Sequence, residues 1–137
     1  MRVLGLDPGS VRVGVALSDE LGIIAQPLDY IPAEPFEEFV TQLLKLIAER
    51  GVSSIIVGMP RNMDGSYGPA AEKSKALVEQ LRERTEVPIR TWDERLTTAQ
   101  ANRVLIAGNV SRQKRKEKVD KMAAAILLQS YLDAQSL

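Results

Sequence analysis

Arg2-Val3-Leu4-Gly5-Leu6-Asp7-Pro8-Gly9-Ser10-Val11-Arg12-Val13-Gly14-Val15-Ala16-Leu17-Ser18 is the stretch whose reading decides the fold. Two apolar runs, residues 2–7 and 12–18, flank a Pro-Gly-Ser turn, the pattern of a β-hairpin. Asp7 closes the first strand. A carboxylate there is carried on rigid backbone at the lip of a sheet, a position suited to holding a cation. The same residue also suits an ordinary Asp-Pro-Gly turn, because Asp favours turns for local reasons. Only acids elsewhere in the chain can separate these two readings.

Working outward, Asp19-Glu20-Leu21-Gly22 is a second turn, and a third strand is expected over 23–31, with Pro27 confining it to an edge. Phe36, Phe39, Val40, Leu43, Leu44 and Ile47 follow helical spacing, and Gly51 stops that helix. Residues 54–59 form an almost wholly apolar strand, as a central parallel strand covered on both faces would. A helix over 69–84 should face inward through Ser74, Leu77, Val78 and Leu81, followed by a strand over 88–92. Thr97 or Thr98 can cap a helix running to Ala107, with Gly108 ending it. The segment 109–118 has no apolar period and reads as a mobile loop. The last helix should face inward through Val119, Met122, Ala123, Ile126, Leu127 and Tyr131.

Three hairpin strands followed by alternating helices and strands predict an α/β domain over 1–137. Its mixed five-stranded sheet has strands 1–3 antiparallel, strands 1, 4 and 5 parallel, and helices on both faces. The ribonuclease H-like fold has this order of elements.

Composition narrows the chemistry. The chain has 137 residues, 45% hydrophobic and 26% charged, with no cysteine and no histidine. Thiolate and imidazole ligands, Ser-His triads and cysteine nucleophiles are therefore excluded. Oxygen-only ligation points to hard cations, Mg²⁺ or Mn²⁺. No basic segment leads into a long apolar one at the start, so no signal peptide is expected. The longest apolar run, Met122 to Leu128, is too short to span a bilayer. A cytoplasmic protein with no membrane partner is expected. Net charge is zero, yet Arg112, Lys114, Arg115, Lys116, Lys118 and Lys121 face only Glu117 and Asp120 in that stretch. This focused patch can hold a phosphate backbone, or can simply be a solvated charged segment. With one Trp, two Phe and three Tyr, recognition of backbone and shape is expected, not base reading.

Parallel strands 1, 4 and 5 share one sheet edge at their C-terminal ends, where open α/β sheets place their sites. Asp7 ends strand one and Asp93-Glu94 ends strand five. Asp120 borders the apolar stripe of the last helix, where Ala123 and Ala124 would allow close approach to the sheet. Acids from three distant segments can converge there. Clustered carboxylates raise one another's pKa values, and a divalent ion relieves the repulsion and can activate water for phosphodiester hydrolysis. Taken singly, Asp120 can be a solvated helix residue and Asp93-Glu94 a turn pair with Arg95; together they favour a site.

Gly5-Leu6-Asp7-Pro8-Gly9, Arg12 to Asp19, Val57-Gly58-Met59-Pro60-Arg61-Asn62-Met63-Asp64-Gly65, Asp93-Glu94-Arg95-Leu96-Thr97-Thr98 and Lys118 to Ala124 together resemble the YqgF/RuvX family. Its members are small bacterial nucleases, described as Holliday junction resolvases and as pre-16S rRNA processing nucleases. The resemblance covers Met1 to about Tyr131. It implies a ribonuclease H-like fold and a divalent-metal nuclease site formed by Asp7, Glu94 and Asp120. Arg112, Lys114, Arg115, Lys116 and Lys118 would clamp the nucleic acid, either branched DNA or precursor rRNA. Asn62 and Gly65 could order the substrate, or could serve only as turn residues. A symmetric four-way junction would suit a homodimer, whereas RNA trimming needs one site.

Two departures stand out: Val11 occupies a position that is polar or basic in many members, and strand four ends in Gly58-Met59-Pro60 with no acid, so Glu94 must supply one from strand five. Two rival readings stay open. One is a phosphate-binding fragment of the actin-hexokinase-Hsp70 class, whose enzymes need two such domains. The other is a nucleic-acid-binding protein of the same fold with little or no catalysis.

Overall fold

A computed structural model describes residues 1–60, 64–94 and 112–135, with 112–121 described by backbone alone. The elements are β1 (Arg2–Pro8), β2 (Arg12–Ser18), β3 (Ala25–Pro32), α1 (Phe36–Arg50), β4 (Val52–Met59), α2 (Pro69–Arg84), β5 (Ile89–Asp93) and α3 (Arg112–Gln135). They form one five-stranded sheet in the order β3-β2-β1-β4-β5. β1 pairs antiparallel with β2 and parallel with β4, β2 pairs antiparallel with β3, and β4 pairs parallel with β5. This is the expected mixed sheet.

Strand alternation sorts the core into two layers. Leu4 and Leu6 of β1, Val13 and Val15 of β2, and Ile55 and Val57 of β4 pack into the layer under α1 and α2. Val3, Ala16 and Ile56 point the other way and meet Ala124, Leu128 and Leu132 of α3. The central strands are therefore buried on both faces, which is why β4 reads as a continuous apolar run. On the α3 face, Gly5 is a packing requirement. A Cβ there would come within 2.9 Å of Leu128 Cβ and 3.4 Å of the Ala124 carbonyl oxygen. α3 thus lies close on β1, and Gln129 ties it to β3 by accepting from the Ala25 N–H at 2.9 Å and donating to the Ile23 carbonyl at 2.9 Å.

Two expectations are corrected. The basic segment read as a loop is helical from Arg112, and α3 is one continuous helix to Gln135. Lys, Arg, Gln and Glu are good helix formers, and a solvated helix end needs no apolar stripe to continue one that is packed further on. The buried face of α3 also differs from the one expected: Ala124, Ala125, Leu127, Leu128 and Leu132 are buried, while Met122 is 40% exposed. Residues 122–128 are apolar on nearly every side, so periodicity could not choose the face; the close approach over Gly5 does. In α2, Ala71, Ser74, Val78 and Leu81 are the buried residues, and Leu77 is only partly covered. The helix expected between Thr97 and Ala107, together with Asn62, lies outside the described residues. No described helix is long and apolar enough to cross a membrane.

Candidate active site

The odd positions of β1 place Asp7 on the α3 face, at the C-terminal end of the strand. Its neighbour on β2 is Gly14. On β4 the register runs Gly5 beside Ile56 and Leu6 beside Val57, so the next residue, Gly58, lies beside Asp7. Gly58 is in turn paired with Trp92 of β5. Asp7 is therefore flanked by a glycine on each adjoining strand.

The reason for Gly58 lies at the end of β5. A Cβ built on it would fall 2.1 Å from Glu94 Oε1, 2.8 Å from its Cδ and 3.0 Å from Leu127 Cδ2. The Glu94 side chain occupies the space that any other residue at 58 would fill, crossing β4 to hydrogen-bond the Asp7 carboxylate. Its backbone is fixed by the Glu94 N–H donating to the Met59 carbonyl at 3.2 Å. The strand before it is anchored by Trp92, which donates through Nε1 to Ser130 Oγ at 3.2 Å and meets the Tyr131 ring edge-on at 5.3 Å. β5 and α3 are thereby locked together beside the pair of acids.

Burial, first, and then the hydrogen bond and negative charge of Asp7 push the Glu94 carboxyl up to about 9, with Asp93 adding a smaller push. The raised value favours one proton held between the two carboxyls at neutral pH. Two carboxyls this close cannot both ionise without a cation between them. Glu94 thus reaches Asp7 from the end of β5, over the bare end of β4.

Asp120, the third expected acid, lies in α3 four residues before Ala124. Ala124 is buried beside this edge, and a Cβ on Gly14 would touch both Asp7 Cβ, at 3.4 Å, and Ala124 Cβ, at 3.5 Å. The helix thus passes next to Asp7 one turn after Asp120. The side chains of Asp120 and of Arg112, Lys114, Arg115, Lys116 and Lys118 lie outside the described residues. Among the described residues no group of three acidic side chains stands ready to hold a metal ion; these residues contribute the Asp7–Glu94 pair.

Other motif residues have structural work. Asp19 accepts from the Ile23 and Ile24 N–H groups at 2.7 and 3.0 Å, closing the β2–β3 turn, and these bonds hold its carboxyl below the usual range. Ser18 Oγ accepts from the buried Val3 N–H at 2.8 Å. Gly65 adopts a φ of 91° in a turn where Asp64 Oδ1 accepts from the Ser66 N–H at 2.8 Å, which accounts for both residues as turn formers. The two glycines beside Asp7 were not singled out in the sequence as site residues. The signal was available in Gly58, a glycine near the end of an otherwise apolar central strand.

The family model "RuvX: Holliday junction resolvase" matches residues 1–134. A protein from Desulforamulus reducens named "Putative pre-16S rRNA nuclease" is 49% identical over 134 residues, covering 98% of each chain. One of the same name from Geobacillus kaustophilus is 50% identical over 137 residues, 98% of this chain and 99% of the relative. Among solved structures, T. thermophilus RuvC in complex with a Holliday junction superposes with a TM-score of 0.60 at 17% identity, covering 99% of this chain and 96% of that one. The fowlpox virus Holliday junction resolvase superposes with a TM-score of 0.57 at 14% identity, covering 98% and 99%. The structural likenesses show the ribonuclease H-like fold, and the match along nearly the whole sequence shows that the chain belongs to the RuvX (YqgF) family.

Proposed function

We propose that this chain is a divalent-metal-dependent nuclease that hydrolyses phosphodiester bonds in structured nucleic acid. The observation that carries this reading is the Asp7–Glu94 pair, one acid in β1 and one just past the end of β5, brought together in a slot that Gly58 keeps open. A protein gains nothing in stability from an acid held protonated by burial and like charge, so the arrangement suits a site that receives a cation. With no cysteine or histidine in the chain, the donors are oxygens and fit Mg²⁺ or Mn²⁺. Asp7, Glu94 and Asp120 would hold it. When bound, such an ion neutralises the acids and activates water towards a phosphodiester.

The chain's own residues do the rest. Gly58 makes room for Glu94 beside Asp7, Gly14 lines the groove that opens onto Asp7, the β5–α3 lock fixes the Glu94 backbone, and the cationic first turns of α3 (Arg112, Lys114, Arg115, Lys116, Lys118) would draw in a phosphate backbone. The names of the relatives favour the end of precursor 16S rRNA as substrate, and the description of the family model favours Holliday-junction DNA.

The test is cleavage of a labelled precursor 16S rRNA end and a labelled four-way DNA junction, each with Mg²⁺, Mn²⁺ or EDTA, using wild type beside Asp7→Asn. Cutting is expected with either ion and absent in EDTA. Asp7→Asn should lower it by at least about 100-fold, the scale of losing one preorganised electrostatic group. Binding of both substrates without cutting would replace this reading with that of a binding protein.

A further inference from the structure

A groove of about 280 Å³ runs from Asp7 across the β1–β2 turn to Arg12 of β2 and Tyr30 of β3, with Gly9, Ser10 and Ala123 along its sides. Arg12 shares the even positions of β2 with Gly14, the partner of Asp7, so its side chain belongs to the same sheet face. Its guanidinium carbon stands 4.0 Å from the centre of the Tyr30 ring. Across the face, from edge to edge, the order is thus Tyr30, Arg12, Asp7 and Glu94: an aromatic-held cation on one side of Asp7 and the second acid on the other.

We propose that Arg12, held in place by Tyr30, is a phosphate-binding arm that grips the strand to be cut as it enters the Asp7 groove; this rests on the nuclease reading above. Three observations carry it. First, among the described residues no carboxylate lies within ion-pair distance of Arg12, although Asp7 lines the same groove. Second, the contact with Tyr30 explains why the cation does not collapse onto Asp7. A guanidinium over an aromatic ring is restrained without using its in-plane N–H donors. Third, those donors form a fork that matches two oxygens of one phosphate, which a lone ammonium does not.

Close packing of the turn itself leaves the approach clear. A Cβ on Gly9 would lie 2.5 Å from the Arg12 carbonyl oxygen, so the turn folds tightly onto the strand carrying Arg12. Arg12 acts before and apart from the acids: it binds substrate whether or not a cation is present. It supplies a contact at the hairpin, where the exposed Val11 offers no charge. Tyr30 is a positioning residue.

The test measures fluorescence anisotropy of a labelled four-way DNA junction and a labelled precursor 16S rRNA end, in EDTA, over a series of salt concentrations with the full chain. Arg12→Ala is expected to weaken binding about tenfold, the loss of a charged hydrogen-bonding partner. It should also lower the slope of log affinity against log salt by about 0.7–0.9, the contribution of one phosphate contact. Arg12→Gln, which keeps the stem over the ring, should show the same loss of slope and serves if the alanine variant does not fold. Tyr30→Ser should shift affinity in the direction of Arg12→Ala. Wild-type affinity and slope in folded Arg12→Ala, or weaker binding at an unchanged slope, would overturn the arm while leaving the nuclease reading standing. A wild-type chain that binds neither probe would overturn both.

Discussion

Gly58→Ala tests the central geometric claim with one methyl group. The added Cβ would lie 2.1 Å from Glu94 Oε1 and 3.0 Å from Leu127 Cδ2. Since non-bonded heavy atoms settle at about 3.5 Å, the carboxyl must retreat by roughly 1.4 Å. The obstructed group is the end of a flexible side chain, so the backbone has no need to move. Alanine is also the better strand residue by about 0.5–1 kcal/mol, which offsets the tighter contact with Leu127. Melting of the metal-free protein should therefore change little, by about 1 kcal/mol at most in either direction. The chemistry should not survive as well: displacement of a reacting constellation by about 1 Å lowers rates on the order of 100-fold. The assay pairs thermal melting in EDTA with Mg²⁺- or Mn²⁺-supported cleavage of the same labelled substrates. The double variant Gly58→Ala/Glu94→Gln should be no worse than Glu94→Gln alone, because both changes remove the same group. A folded Gly58→Ala enzyme with wild-type rates would refute the reasoning, since Glu94 would then work from somewhere other than the slot over β4.

Two further outcomes follow from the same geometry. In EDTA, stability should fall as pH rises between about 4.5 and 9. Over that window the folded chain keeps the Glu94 proton that the unfolded chain has already lost. Melting temperatures from pH 5 to 9 should show this decline, and Glu94→Gln should flatten it; an equal slope in both proteins would assign the effect elsewhere. Gly5→Ala should destabilise the fold by about 1–3 kcal/mol, because its Cβ meets Leu128 Cβ at 2.9 Å and α3 cannot close on the sheet. Urea unfolding measures this, with Gly14→Ala as the contrast: its Cβ meets only ordinary contacts at 3.4 Å and beyond, so stability near wild type is expected.

Much of the fold could be read from local signals. The hairpin around Pro8-Gly9-Ser10, the apolar run of β4 and the Gly51 stop of α1, where φ is 61°, are short-range patterns that declare themselves without knowledge of their neighbours. Asp7 stood out for the same reason, as an acid ending an apolar strand. Which side of α3 faces the sheet could not be read, because residues 122–128 are apolar nearly all round and only contact with Gly5 selects a face. The helical state of Arg112 to Lys118 was hidden as well, since a charged segment has no apolar period.

The candidate site divides along the same line. Residue type and position by themselves limited any metal ligands to oxygen donors and brought forward Asp7, the Asp93-Glu94 pair and Asp120 as the acids to consider, because a chain without histidine or cysteine has few other means. Only the tertiary structure decided that Glu94 reaches Asp7 across Gly58, and that Arg12 stands over Tyr30 on the same face. Those relations depend on the register of five strands and on which way each side chain points, and register is set by pairing between segments far apart in the chain.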